Sequence, residues 1–312
     1  MEGRRAMAVE GLHHVTSLAS GAVANNAFFT TVLGLRRVKT TVNFDAPEVY
    51  HLYYGDEVGR PGSVLTCFPY EGARRGRRGT GEVHVTAFSV PEGSLPDWQA
   101  RLHAAGVPGL SVEERFGEAR LLFDGPDGER LALVERADGR TPWAGGGVAA
   151  AMAIRGFHAV TLRLADAGPT AELLQAMGYA ETGRDRALRR FELARHNGAG
   201  IVDLETVAAA PAVQGAGSVH HVAFAVPDRA AQDALRQALA DQGLRATPPI
   251  DRDYFHAIYF RSPGGVLFEI ATNAPGFTRD EAPEHLGEAL KLPRQHEHLR
   301  GRLERDLVPL DP

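Results

Sequence analysis

Cysteine is almost missing from this sequence: among 312 residues only Cys67 carries a thiol. No internal disulfide can form and no cysteine-rich zinc site can be built, which suits a reducing, cytoplasmic setting. Long apolar runs are missing as well, since no window approaches the roughly 18 consecutive apolar residues of a membrane-spanning helix. No membrane partner is expected. The first seven residues carry charge but no apolar stretch of about 7–15 residues follows them, so a secretory signal is not expected either. Positive charge is not in excess. A formal net charge of -5 provides no field for a phosphate backbone, and nucleic acid is not an expected partner. Arg74, Arg75, Arg77 and Arg78 form the local exception, read as a solvated loop or, failing that, as a cover over an anion or active site. What is there is a globular balance, 44% hydrophobic and 23% charged, in a chain long enough for two ordinary domains. A homo-oligomer is compatible with these numbers and not fixed by them.

The chain repeats itself four times. Four segments bring a histidine into alternating β-formers: GLHHVTSL from Gly11, EVHVTAF from Glu82, GFHAVTLRL from Gly156 and SVHHVAFAV from Ser218. Alternation of this kind marks a half-buried strand. Each is followed by a stretch with helical spacing, over residues 25–33, 95–105, 170–177 and 229–242, that stops at Gly34, Gly106, Gly178 and Gly243. Glycine there is the expected helix stop, because it takes the left-handed conformation without a Cβ penalty. From His13, His84, His158 and His220 to those glycines the separations are 21, 22, 20 and 23 residues, a regularity that chance does not give four times. Pro-Gly, Asp-Gly and Gly-Gly turn signals then lead into apolar strands starting near Val64, Arg130, Ile201 and Val266. The unit is βαβββ, repeated about every 60–75 residues. A Gly- and Ala-rich stretch over 142–153 separates the halves, giving modules one and two over 8–146 and modules three and four over 153–276. The charged extension 277–312 is expected to contain a helix over 283–290 and to pack on or near the second half.

This repeat resembles the vicinal-oxygen-chelate superfamily, which includes glyoxalases, bleomycin-resistance proteins and extradiol dioxygenases. The resemblance implies an α+β fold in which four βαβββ modules pair into two open barrels, with metal ligands on the inward faces of first and last strands. The four units then serve as controls for one another. In the first strand, units one and four have His14 and His221 where units two and three have Val85 and Ala159. In the last strand, counted from its turn, unit four has Glu269 where the others offer Cys67, Ala132 and Leu204. A glutamate inside Val266-Leu267-Phe268-Glu269-Ile270-Ala271 would cost on the order of several kcal/mol if buried unpaired, so a cation should face it. Two histidines and one carboxylate form the facial set of non-haem iron(II) oxygenases. The preceding histidines, His13, His84, His158 and His220, occur in all four units and are therefore read as structural or supporting, not as ligands. His51, His103, His196, His256, His285, His296 and His298 have no such support and are read as packing or surface residues. Ligands from units one and four require those two units to share a barrel, leaving two and three to form the other.

The segments LHHVT, VYHLYYGDEVGRPGSVLTCFP, GFHAVT, HHVAFAVPD and RSPGGVLFEIAT, followed by LGEALKLP, are similar over essentially the whole chain to the bacterial (chloro)hydroquinone ring-cleaving dioxygenases. That resemblance implies Fe(II), with Mn(II) as the other candidate ion, held by His14, His221 and Glu269. It implies supporting catalytic roles for His13, Thr16, His220, Arg252 and Tyr259, with His13 and His220 as proton shuttles, and the partners are a small aromatic substrate and O2. The family's acidic and aromatic detail in unit three is loosely matched over 185–190. Two other readings remain: a glyoxalase-like metal-dependent isomerase or transferase, and a metal-free small-molecule binding protein of the resistance type.

Overall fold

Four alternating strand-rich units generate four near-copies of one layout in the computed structural model, which describes residues 9–310. Unit one runs β1 (Leu12–Ala19), α1 (Ala22–Ala27), β2 (Arg36–Val42), β3 (Tyr50–Gly55) and β4 (Val64–Pro69). Unit two runs β5 (Glu82–Val90), α2 (Leu95–Ala104), β6 (Ser111–Arg115), β7 (Glu118–Asp124) and β8 (Arg130–Glu135). Unit three runs β9 (Gly156–Leu164), α3 (Gly168–Ala176), β10 (Ala180–Asp185), β11 (Leu188–Glu192) and β12 (Ile201–Thr206). Unit four runs β13 (Val219–Val226), α4 (Arg229–Asp241), β14 (Ile250–Asp251), β15 (Phe255–Arg261) and β16 (Leu267–Pro275). The four stop glycines lie in the left-handed region, at φ +71, +69, +100 and +77. In unit one the helix is shorter than its spacing suggests, and a π turn over Phe28–Val32 carries the chain to Gly34.

Two eight-stranded sheets result. One has the order β14-β15-β16-β13-β1-β4-β3-β2, joining units four and one, and the other β10-β11-β12-β9-β5-β8-β7-β6, joining units three and two. Units pair through their first strands, β1 against β13 and β5 against β9, both antiparallel. Within each unit the first and last strands run parallel. The first strand is thus central in its sheet. That placement explains the near-continuous burial of Leu12–Ala19 and Gly156–Leu164, as expected of strands covered on both faces.

The C-terminal extension departs from expectation twice. Residues 283–290 hold a single 3-10 turn, Pro283–His285, and the α-helical segment is α5 (Arg300–Asp306). Gly287 accounts for the first departure: its φ is +80 and a Cβ there would stand 2.0 Å from the Arg37 carbonyl oxygen, so the backbone is pressed against β2 instead of coiling. Secondly, the extension touches unit four only at its start, where Tyr254 meets Phe277 and Asp280 and Arg279 meets Asp253, and lies chiefly on unit one. It bridges to β2 at Thr40 and Leu290 and takes hydrogen bonds from Arg36 to the Glu284 carbonyl (2.9 Å) and from Thr40 Oγ1 to the Gly287 carbonyl (2.7 Å). Covering β2 removes an open sheet edge, a general liability of β proteins.

Lys39 fastens this strap. Its side chain is fully buried, pairs with Asp280 at 2.6 Å and with Glu281, and its ammonium sits 4.7 Å from the Tyr254 ring centroid. Removing one partner of a buried ion pair costs about 3–5 kcal/mol, because the other charge stays behind desolvated. Lys39→Met is therefore expected to lower the unfolding free energy by about 3 kcal/mol and to expose the segment after Phe277 to proteolysis. Urea denaturation and limited trypsin digestion check this, and unchanged values in both would show that the strap is held by its backbone contacts.

Candidate metal centre

Three adjacent central strands bring the sequence-selected residues together. The β1–β13 ladder pairs His14 with Ala223 and Thr16 with His221, and the β13–β16 ladder pairs Ala223 with Glu269. Side chains two apart share a face, so His14, His221 and Glu269 converge although 207 residues separate the two histidines. His14 Nε2 lies 3.1 Å from His221 Nε2, and Glu269 Oε2 lies 2.9 Å from His221 Nε2 and 3.3 Å from His14 Nε2. Three ligands on one octahedral face with bonds of about 2.1 Å stand about 3.0 Å apart, so the observed spacing fits a small divalent cation. Glu269 is fully buried, and neither carboxylate oxygen meets a donor with hydrogen-bond geometry, close as the imidazole nitrogens are. Burial would raise its pKa, but the His14 and His221 imidazoles hold it well below the ordinary carboxylate value. Burial in turn pushes His221 down, which favours the neutral, ligating form. A buried, ionised carboxylate facing two imidazole nitrogens is a donor set that a divalent metal ion would complete.

The histidine before each ligand has a separate explanation. In both sheets the ladder between first strands skips one residue on each side, and the residues skipped are His13, His84, His158 and His220. All four occupy β-bulges. A bulge releases its residue from strict alternation, so adjacent rings meet edge to face with centroids 5.1 Å apart in both pairs. His13 Nδ1 is 2.9 Å from His14 Nδ1, and His220 Nδ1 is 2.8 Å from His221 Nδ1. A histidine that binds metal through Nε2 carries its proton on Nδ1, and a partner accepting that proton fixes the ring. Burial first, and then the neighbouring imidazole, takes His13 down to about 3 and His220 to about 4. Neutral imidazoles can accept the Nδ1 protons of His14 and His221 and so orient them.

In front of the three ligands opens a cavity of about 410 Å³. Phe44, Phe68, Tyr70 and Phe255 give it aromatic walls, and Arg252 and Tyr259 supply polar groups. Arg252 comes from the tight turn between β14 and β15 and donates from Nε to Tyr259 Oη at 3.3 Å. Burial keeps the Tyr259 hydroxyl protonated, well above its ordinary value. His13, His14, Thr16, His220, His221, Arg252, Tyr259 and Glu269 are thus gathered around one pocket or directly behind its wall.

Comparison with known proteins agrees. The glyoxalase/bleomycin resistance protein/dioxygenase superfamily model matches residues 187–270. The chain is 43% identical over 303 residues to a protein of Bacillus subtilis (strain 168) named as a ring-cleaving dioxygenase, MhqO, covering 96% of each. It is 37% identical over 311 residues to chlorohydroquinone/hydroquinone 1,2-dioxygenase of Sphingobium indicum, again covering 96% of each. The chain belongs to the ring-cleaving dioxygenase family. A crystal structure of a dioxygenase from Bacillus subtilis superposes with a TM-score of 0.94 at 42% identity, covering 97% of this chain and 98% of that one. Glyoxalase I from Zea mays, at 14% identity and a TM-score of 0.62 over 84% of this chain and 92% of that one, shares the fold.

Within this family member, the observed register corrects the comparison between units. The residues paired as Glu269 is paired are Thr66, Ala132 and Asp203, not Cys67 and Leu204. In the second barrel Asp203 is neutralised from within: Arg190 binds both its oxygens, at 2.9 and 3.0 Å, and reaches Glu118 at 2.6 Å, with His158 on Glu118 at 3.1 Å. His51, set aside from sequence as a packing residue, lines the metal-side cavity together with Tyr53. A signal for Tyr53 was present. Tyr53 pairs with Thr66 as Tyr259 pairs with Glu269, so extending the comparison of units to their third strands would have marked it.

Two expectations follow. Replacing His14, His221 or Glu269 by Ala should abolish binding of iron(II) or manganese(II), read as metal content and as loss of the metal-induced rise in Tm. The fold should persist, since Val85, Ala159 and Ala132 fill the corresponding places in the second barrel; full metal content in any of the three would remove that residue from the site. The second concerns the metal-free protein and acid. His13 and His220 have folded values of about 3 and 4, below the unfolded value of about 6.5, so the unfolded chain binds more protons and stability rises with pH. Their contribution is complete above about 6.5 and is lost as pH falls through that range, by roughly 1–3 kcal/mol per pH unit at the steepest. Urea melts between pH 7 and 4 test this, and a His13→Leu/His220→Leu double variant should show a shallower slope.

Proposed function

We propose that the chain is an iron(II)-dependent dioxygenase that opens a hydroquinone-type ring with O2, cutting between a hydroxyl-bearing carbon and its neighbour. The observation that carries this reading is the convergence of two buried histidines and one buried glutamate on a pocket walled by aromatic side chains. His14, His221 and Glu269 would hold the ion and leave its remaining positions facing the cavity. Iron(II), when bound, supplies a one-electron path between an electron-rich ring and O2.

The protein groups do the rest. Phe44, Phe68, Tyr70 and Phe255 offer flat apolar surface to an aromatic ring and keep water from it. Tyr259 presents a protonated hydroxyl beside the cationic Arg252, a pair suited to holding a substrate oxygen and the negative charge that grows on it. His13 and His220 fix the ring planes of the two imidazole ligands. Both atoms of O2 end in the product and the ring supplies all the electrons, so no further reductant is required. The substrate class rests on ligands split between units one and four and on the likeness to a named hydroquinone 1,2-dioxygenase.

The rival isomerase reading asks for a fourth protein ligand. The place related to Glu269 by the pairing of units one and four holds Thr66, a hydroxyl engaged with Thr16 and His51. Among the described residues His14, His221 and Glu269 are the one group of three or more with metal-ligating spacing. Anaerobic loading with iron(II), followed by O2-electrode measurements on hydroquinone, methyl- and chlorohydroquinone and catechol, tests the proposal. About one O2 per hydroquinone ring and an open-chain acid are expected. Preference for catechol would reject the substrate class, and no uptake with any diol by iron-loaded protein would reject the activity.

A further inference from the structure

A chain of side chains runs along the cavity wall to the metal face. Tyr53 Oη lies 2.9 Å from His51 Nδ1, His51 Nε2 lies 2.8 Å from Thr66 Oγ1, Thr66 Oγ1 donates to Thr16 Oγ1 at 3.0 Å, and Thr16 Oγ1 lies 2.8 Å from His221 Nε2. His51, Tyr53, Thr66 and Thr16 are all buried. The direction of the chain follows from its parts. Thr66 spends its hydrogen on Thr16, so it accepts from a His51 Nε2–H; His51 Nδ1 is then bare and accepts from Tyr53; and Thr16 is left with a hydrogen on the side of His221 Nε2, 2.8 Å away at the edge of the three-residue group. Burial, aided by the imidazoles of His14 and His221, keeps His51 neutral and therefore limited to one N–H. The His51 ring is clamped between Tyr53 and Phe68, with centroids 4.1 and 4.2 Å away, and is held in register with both neighbours.

We propose that Tyr53, His51, Thr66 and Thr16 form a polarised proton relay, with His51 its central residue, that carries a proton from a substrate hydroxyl on the pocket wall to the open face of the metal centre. The relay rests on the ring-cleaving reading for its substrate, but not for its direction. In one pass a hydroxyl lying against Tyr53 gives its proton to Tyr53 Oη while the ring gives up electrons to O2, each member passes one proton on, and Thr16 delivers one to an oxygen of O2 that those electrons have reduced. One O–H bond breaks on the substrate and one forms on the oxidant. No relay residue changes charge. The pass inverts the His51 tautomer, and a proton returning from the metal face restores it, with Tyr53 giving one proton to the product oxygen that lies against it. A second hydroxyl of the ring is thereby coupled to chemistry at the first, which a single tyrosine at the metal could not do.

Two measurements test the relay. Nitrogen-15 NMR of the histidine side chains in zinc(II)-loaded protein reads the His51 tautomer without any turnover; the Nε2–H form is expected, and the Nδ1–H form overturns the direction. For turnover, His51→Phe and the milder Tyr53→Phe, which removes a single hydroxyl, should keep wild-type iron content and a KM within about threefold of wild type, while kcat falls by about 10²-fold and its solvent isotope effect changes. An undiminished kcat in either variant overturns the relay. Loss of iron in step with kcat also overturns it, by making His51 a support for the metal. If the wild type consumes no O2 with any dihydroxybenzene, the ring-cleaving reading fails, and the tautomer measurement still decides whether the chain points at the metal.

Discussion

The antiparallel ladder between β1 and β13 determines what the site can be. It sets His14 opposite Ala223 and Thr16 opposite His221, so the two imidazoles cross over a local twofold and their Nε2 atoms meet. The parallel neighbour β16 then places Glu269 beside Ala223. All three candidate ligands stand on central strands of an eight-stranded sheet, where packing on both faces leaves the backbone little freedom, the condition under which a metal site would keep its geometry. The cost is electrostatic. A fully buried, ionised Glu269 has the His221 and His14 imidazoles as its nearest partners, at 2.9 and 3.3 Å, and a metal ion held by all three would complete the charge balance. The aromatic pocket, the Arg252–Tyr259 pair and the Tyr53 chain are all arranged around that three-residue group.

The bulges are the second device. A regular ladder would send His13 and His220 to the face opposite their neighbours, and the extra residue in each strand lets consecutive rings meet through Nδ1. The same bulge in β5 and β9 holds His84 and His158, which have no ligand to orient. His158 there binds Glu118, and His84 stands near Arg78 and Glu82. The histidine therefore belongs to the unit and its bulge, and its work at the metal depends on the residue that follows it.

Much of this was legible in the sequence, for a physical reason. A fourfold repeat gives each position three internal controls, and departures from the repeat, His14 and His221 against Val85 and Ala159, mark where chemistry was added. What failed to show was register in the last strand. Thr66 stands five residues after Pro61 and Glu269 six after Pro263, so an alignment anchored on proline slips by one, and a slip of one turns a side chain to the other face. That slip hid Thr66, and with it the contacts that give His51 a place at the site. The C-terminal strap was misread because Gly287 sits in a stretch with acceptable helical composition, while its real constraint, contact with the Arg37 carbonyl, is tertiary.

The second barrel shows how little separates an open metal site from a closed core. Asp203 stands at the register position of Glu269, and Arg190 pairs with it as Tyr259 pairs with Glu269. A guanidinium is always charged and binds a carboxylate through two parallel hydrogen bonds, so Asp203 is satisfied from inside and the space before it is filled, with the Phe116 ring 4.0 Å from the Arg190 guanidinium carbon. Tyrosine in that place offers a neutral hydroxyl where the other barrel has a guanidinium. Whether an inward carboxylate on the last strand of this unit becomes a structural ion pair or a metal ligand is thus set first by the residue opposite it on the third strand, and only then by histidines on the first strand. In this chain both differences set the His14–His221–Glu269 group of one barrel apart from the closed ion pair of the other.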